Sequence, residues 1–153
     1  MSKRWIIAAS VVAVLLIGGF FGYRYVTDAT PPTYATYTAP SYDPKASDEQ
    51  RVWALQNDLG NAASEMAQLQ EMATKLQFGK MKAMGQHLQE VAADLEPRLD
   101  EIENKKAKAI LASGIDGLRI VGEGSADLDP NKSMDGVNQV LESFDQMRQL
   151  EQS

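Results

Sequence analysis

The sequence predicts an all-α protein. It has a single N-terminal transmembrane helix, an extended Pro/Thr/Tyr-rich linker, and a small helical bundle made of a long antiparallel hairpin and a C-terminal helix. Three observations predict this: an unbroken apolar run near the start, four of the six prolines gathered in residues 27–46, and apolar residues from Val52 onward that recur at helical spacing. The boundaries that follow are 1–4 for a short basic end, 5–23 for the membrane helix, 24–46 for the linker and 47–153 for the bundle.

The run WIIAASVVAVLLIGGFF, from Trp5 to Phe21, has no charge and only Ser10 as a polar residue. The 19 uncharged residues between Arg4 and Arg24 reach about 28 Å as a helix, close to the hydrocarbon thickness of a bilayer. Without water to satisfy its backbone, such a segment must be helical. A cleaved signal has a charged start, a shorter core and a small-x-small site. Lys3 and Arg4 fit that pattern, but the run is long and leads into Tyr23, Arg24 and Tyr25. The nearest small-x-small site is Thr27-Asp28-Ala29. An uncleaved anchor is therefore expected, with a secreted soluble bundle after cleavage as an alternative. Lys3, Arg4 and the amino terminus outnumber Arg24, which sets the N-terminus in the cytoplasm and, in a bacterial inner membrane, the rest in the periplasm. Trp5, Tyr23 and Tyr25 read as interfacial anchors. Gly18 and Gly22 form a GxxxG pair that would let two membrane helices approach.

Charge divides at the same place. Lys3, Arg4 and Arg24 precede every acidic residue, and all 21 acids fall beyond them against the other 12 bases. An acidic exported part is repelled by phosphate, so a nucleic-acid partner is not expected. With no cysteine, disulfides, thiolate zinc sites, thiol nucleophiles and a cysteine-linked lipid are excluded.

In residues 27–46, Pro31, Pro32, Pro40 and Pro44 stand among five threonines and Tyr34, Tyr37 and Tyr42. Proline without glycine favours an extended stalk of up to about 60 Å. The tyrosine row would alternatively suit docking along a partner groove.

Ser47 followed by Asp48, Glu49 and Gln50 has the form of a capping box. Val52, Leu55, Leu59, Ala62, Met66, Leu69, Ala73 and Leu76 then alternate spacings of three and four, a 3.5-residue seam that needs a facing helix within the chain or from a second copy. Trp53, beside this seam, is a candidate contact anchor. The register breaks before Met84, and Gly79 in the break predicts a first helix ending near Phe78. A second helix is expected over 81–113, kinked at Pro97 and closed by Gly114, although Glu96 could instead open a separate one. Residues 115–129 predict a helical turn and then loop. Asp129 and Pro130 read as N-cap and first residue of the last helix, giving a three-helix bundle on a stalk.

Two groups of residues invite chemistry. Met81, Met84 and His87 form a soft-ligand set suited to copper(I) or haem. Met81 and His87 diverge by about 120° around a helix, however, and a solvated His87 beside core methionines is the simpler reading. Asp127, Asp129, Asn131, Ser133 and Asp135 alternate like a calcium loop. Lys132 replaces its central glycine and Asn138 its final glutamate, so a capped helix start accounts for them better. One histidine and scattered acids assemble no catalytic triad, and no enzyme, cofactor or small-molecule substrate is expected. The expected role is an accessory or adaptor subunit of a membrane complex, or a homo-oligomer, working through Val52, Trp53, Leu55, Leu59, Met66, Leu69 and Leu76. The alternative from another class is a periplasmic metal- or haem-binding carrier. In layout alone the chain is similar to short division-complex coiled-coil proteins and phage inner-membrane spanins.

Overall fold

The computed structural model describes residues 45–153, which form four α-helices and one 3-10 segment, with no strand among them. The helices are α1 (Asp48–Thr74), α2 (Phe78–Leu95), α3 (Lys105–Asp127) and α4 (Pro130–Glu151), and the 3-10 turn covers Glu96–Glu101. The expected membrane helix 5–23 and the linker up to 44 lie outside the described residues. Among the described residues, no helix is long and apolar enough to cross a membrane.

α1 starts as its sequence dictates. The Gln50 N–H donates to Ser47 Oγ at 3.2 Å, and the Ser47 N–H donates to Gln50 Oε1 at 2.9 Å, so two amides left over by the helix start are satisfied reciprocally. The end of α1 differs from expectation. It stops at Thr74, and the residue that turns the chain is Leu76, at φ 56°, with Gly79 already inside α2. The Gln77 N–H closes the end on Met72 O at 2.8 Å. This is the six-to-one bond of a Schellman ending with leucine where glycine is usual. Leucine in the left-handed region costs about 1–2 kcal/mol, offset here by packing of its side chain on the core.

The second expected helix is two. α2 ends at Leu95, Pro97 enters the 3-10 turn near its start, and Ile102 is extended. Proline lacks the N–H that would continue the ladder, and the chain tightens into the shorter-pitch helix instead of bending through. The continuous apolar phase through Leu95, Leu99 and Ile102 is real, because all three are buried; it does not require a continuous helix. A new helix then begins at the Asn104 N-cap, whose Oδ1 accepts from the Lys106 and Ala107 N–H groups at 3.1 Å each.

α3 is the largest departure. Gly114 does not close a helix but lies within one, and residues 115–127, expected as turn and loop, are helical throughout. The bundle therefore has four α-helices, not three. α3 lies between α2 and α4, and its glycines mark where backbones meet. A Cβ on Gly136 of α4 would sit 2.5 Å from Val121 N and 2.6 Å from Gly117 O, and one on Gly85 of α2 would sit 2.5 Å from Gly122 O. Gly114 meets two helices at once, since its Cβ would lie 2.5 Å from Ser143 Oγ of α4 and 2.7 Å from Leu59 Cδ2 of α1. Around these contacts Leu55, Leu59, Leu69, Phe78, Met84, Leu88 and Leu118 fill a continuous core.

Two substitutions separate the roles of glycine here. Gly136→Ala must push α4 off α3 and should destabilise by about 1–3 kcal/mol. Gly60→Ala, on α1 with nothing within 4 Å of the added atom, should stabilise by about 1 kcal/mol. Urea denaturation followed by circular dichroism reads both, and equal effects at the two positions would refute the close-contact account.

Candidate functional site

The seam of α1 closes inside the chain. Leu55, Leu59, Met66 and Leu69 are buried in the common core, and Val52 and Leu76 are half-buried against it. They hold the fold, so they are not an open surface for a partner. Trp53 is different. It is 67% exposed, the one large hydrophobic side chain so exposed among the described residues.

The position of Trp53 is set by a group of polar ties at one end of the bundle. Asp48, in the first turn of α1, accepts from the Glu103 and Asn104 N–H groups at 2.7 and 2.9 Å. Arg51 donates to Glu101 O at 3.0 Å, and Arg98 pairs with Asp58 at 2.5 Å with both side chains largely buried. Together they fix α1 against the segment that joins α2 to α3. Charge-assisted bonds of this kind exceed neutral ones in strength, and the side chains next to them inherit a defined orientation.

Trp53 then stands between two hollows in the crease beside α4. One, of about 430 Å³, is floored by Val52, Ala107, Met147 and Leu150 and rimmed by Asp48, Glu49 and Glu151. The other, of about 590 Å³, is walled by Gln56, Asn57, Gly60, Asn61, Phe144 and Glu151. The Oε1 atom of Gln56, next to Asn57, is shielded from solvent and has no hydrogen-bond partner among the described residues.

From Trp53 to Gln68 the outward side of α1 carries no charge: Asn57, Gly60, Asn61, Ser64 and Ala67 lie along it. The two acids in this span face elsewhere, Asp58 to Arg98 and Glu65 to His87. In a chain of net charge −6, an uncharged helix face of this length ending in an exposed tryptophan is the surface best suited to contact. Covering such a face meets no charge repulsion, and its Asn57, Asn61 and Ser64 side chains require hydrogen-bond partners from whatever covers them.

The candidate ligand groups have structural duties. Met81 and Met84 are buried in the core. His87 is 8% exposed, contrary to the expected solvated position, with Nε2 2.7 Å from Glu65 Oε2. At about 100° per residue His87 lies about 60° from Met84 and about 40° from Val91, at the edge of the buried face of α2, where it meets Glu65 of α1. Asp129 caps α4, its Oδ1 accepting from the Asn131 and Lys132 N–H groups at 3.1 Å each. Lys132 lies 2.7 Å from Glu123 and 3.7 Å from Asp127, and the Glu123 hydrogen bond holds its amine above the ordinary lysine value of 10.5. The tie is complete below that pH and is lost as pH rises through the raised value. Lys75 hydrogen-bonds Glu71 and holds its carboxyl below the usual range. Asn131 and Asp135 are exposed on the first turns of α4. Among the described residues, no cluster of three or more His, Cys, Asp or Glu side chains is placed to hold a metal ion.

No known protein family, curated protein or solved structure matches the chain.

Removing the exposed indole should leave the fold intact. Trp53→Ala is expected to change unfolding free energy by less than about 0.5 kcal/mol, whereas Leu59→Ala should cost about 3–5 kcal/mol. Parallel denaturation curves check both; a large loss at Trp53 would make it a fold residue and remove it as a contact residue.

Proposed function

We propose that this chain is a single-pass, membrane-anchored structural or interaction protein: an accessory or adaptor subunit of a complex in a bacterial inner membrane, with its N-terminus cytoplasmic and its helical domain periplasmic. The observation that carries the reading is Trp53, 67% exposed at the end of an uncharged face on a helix that is otherwise fixed in place. A tryptophan left 67% exposed buries only a minor part of its indole in the isolated chain. Covered by a partner, it removes up to about 150–250 Å² of aromatic surface from water. The apolar run Trp5–Phe21 supports the anchor, and the proline-rich linker supports a domain held away from the bilayer. A role in contact agrees with polar side chains that, among the described residues, cap helices and tie them together.

Membranes from expressing cells, washed in alkaline carbonate, should retain the full-length chain, and its release would overturn the anchor. Amine-reactive cross-linking in those membranes should trap the helical domain with neighbouring proteins, and Trp53→Ala should abolish those products without altering membrane retention. Products that persist in the variant would overturn the role given to Trp53.

A further inference from the structure

We propose that the uncharged outer face of α1 is an interface between two copies of this chain, in which Trp53 of each copy seats over Gly60 of the other. This rests on reading the face as a contact surface and names its occupant; it does not depend on the membrane anchor.

The face is self-complementary. Trp53 and Gly60 are seven residues, or two turns, apart, about 10 Å along one side of the helix. A two-fold axis crossing α1 between Gln56 and Asn57 places each Trp53 opposite the other copy's Gly60 in an antiparallel pair, and a closed two-fold contact requires that reciprocity. Gly60 is the hole that this knob needs. It has no neighbour within 4 Å of a would-be Cβ, and it borders the hollow of about 590 Å³ that Phe144 walls on the far side. The seated indole would lie in that hollow against an aromatic ring, an arrangement that adds to the area buried.

The central positions suit a self-contact chemically. Asn57, exposed beside the axis, carries an amide that both donates and accepts and so pairs with its own kind. Charge gives the strongest argument. Two copies of a chain with net charge −6 repel each other over most approaches, and the outward side of α1 from Trp53 to Gln68 is free of charge. Asp58 and Glu65, the acids of α1 within this span, are turned toward Arg98 and His87. On α1 itself a charged partner finds nothing to pair with and a second copy brings the same neutral strip, while Glu151 of α4 is the one charged residue lining the hollow in which the indole would seat.

The absence of cysteine makes the test direct. Single-cysteine variants of the full-length chain, purified in mild detergent, are oxidised and run without reductant. Asn57→Cys lies beside the axis and should give a disulfide-linked dimer. Gly60→Cys should remain monomeric alone, because same-residue pairs stand about 10 Å apart along the helix and a disulfide needs Cα atoms within roughly 7 Å; Trp53→Cys, which also lacks the indole, should likewise stay monomeric alone and serves as its partner. Mixed together, they should cross-link. Adding Trp53→Ala to the Asn57→Cys chain should reduce its dimer at least about tenfold. Gly60→Leu should do the same, and its circular dichroism should match that of Gly60→Ala, which separates a blocked notch from a lost fold.

Cross-links at Trp53→Cys alone, no dimer at Asn57→Cys, or a dimer indifferent to Gly60→Leu would each overturn the two-fold pairing. If those results came together with Trp53-dependent cross-linking to other proteins in membranes, the surface would stand and only its occupant would change.

Discussion

α3 can lie between α2 and α4 only because side chains are missing where the backbones meet. The Gly85–Gly122 and Gly117–Gly136 contacts leave no space for a Cβ, so interhelical distance at these points is set by main chain against main chain. Burying this much backbone brings no large apolar gain of its own. It lets Leu88, Leu118, Val121 and Val140 on the flanking positions close around the contact and be fully buried, and that is where the hydrophobic stabilisation lies. The rest of the bundle is arranged about this slab. α1 is laid across it at Leu59 and Gly114, and the polar ties of Asp48, Arg51 and Arg98 hold the remaining end.

The same feature explains what could be read from the chain and what could not. Two of the four helix starts are legible because their signals are local: Ser47 with Gln50, and Asp129 ahead of Pro130, satisfy amides within three residues, whereas α2 starts without a side-chain cap and the Asn104 cap of α3 is hidden by the continuous apolar phase around it. The apolar phase correctly identified the core face of α1 and of the segment from Met84 to Ile102. Glycine misled, since a glycine at a helix end and a glycine at a helix crossing look alike in one sequence. Gly79 and Gly114 read as breaks, and both lie inside helices. The residues that do turn the chain, Leu76 and Leu128, both at positive φ, carry no local sign, because their strain is offset by packing on distant residues.

His87 illustrates the same limit for side chains. Its place on α2 is set by α2, but the partner that meets its Nε2, Glu65, lies 22 residues away in the sequence. The candidate surface was legible only in part. Trp53 stood out by residue type, while the neutrality of the face beside it became visible once Asp58 and Glu65 were seen to turn toward partners of their own. The seam residues Leu55 and Leu59 were grouped with Trp53 because adjacency in sequence does not tell the inner side of a helix from its outer side until the facing helices are placed.

The start of α1, the Asn104 cap and the last turn of α4 meet around one hollow. Whatever is attached after Ser153, an affinity handle or a fluorescent fusion included, emerges within reach of the Trp53 indole. A label placed instead in the Lys75–Gln77 turn, at the far end of α1, leaves that corner unobstructed.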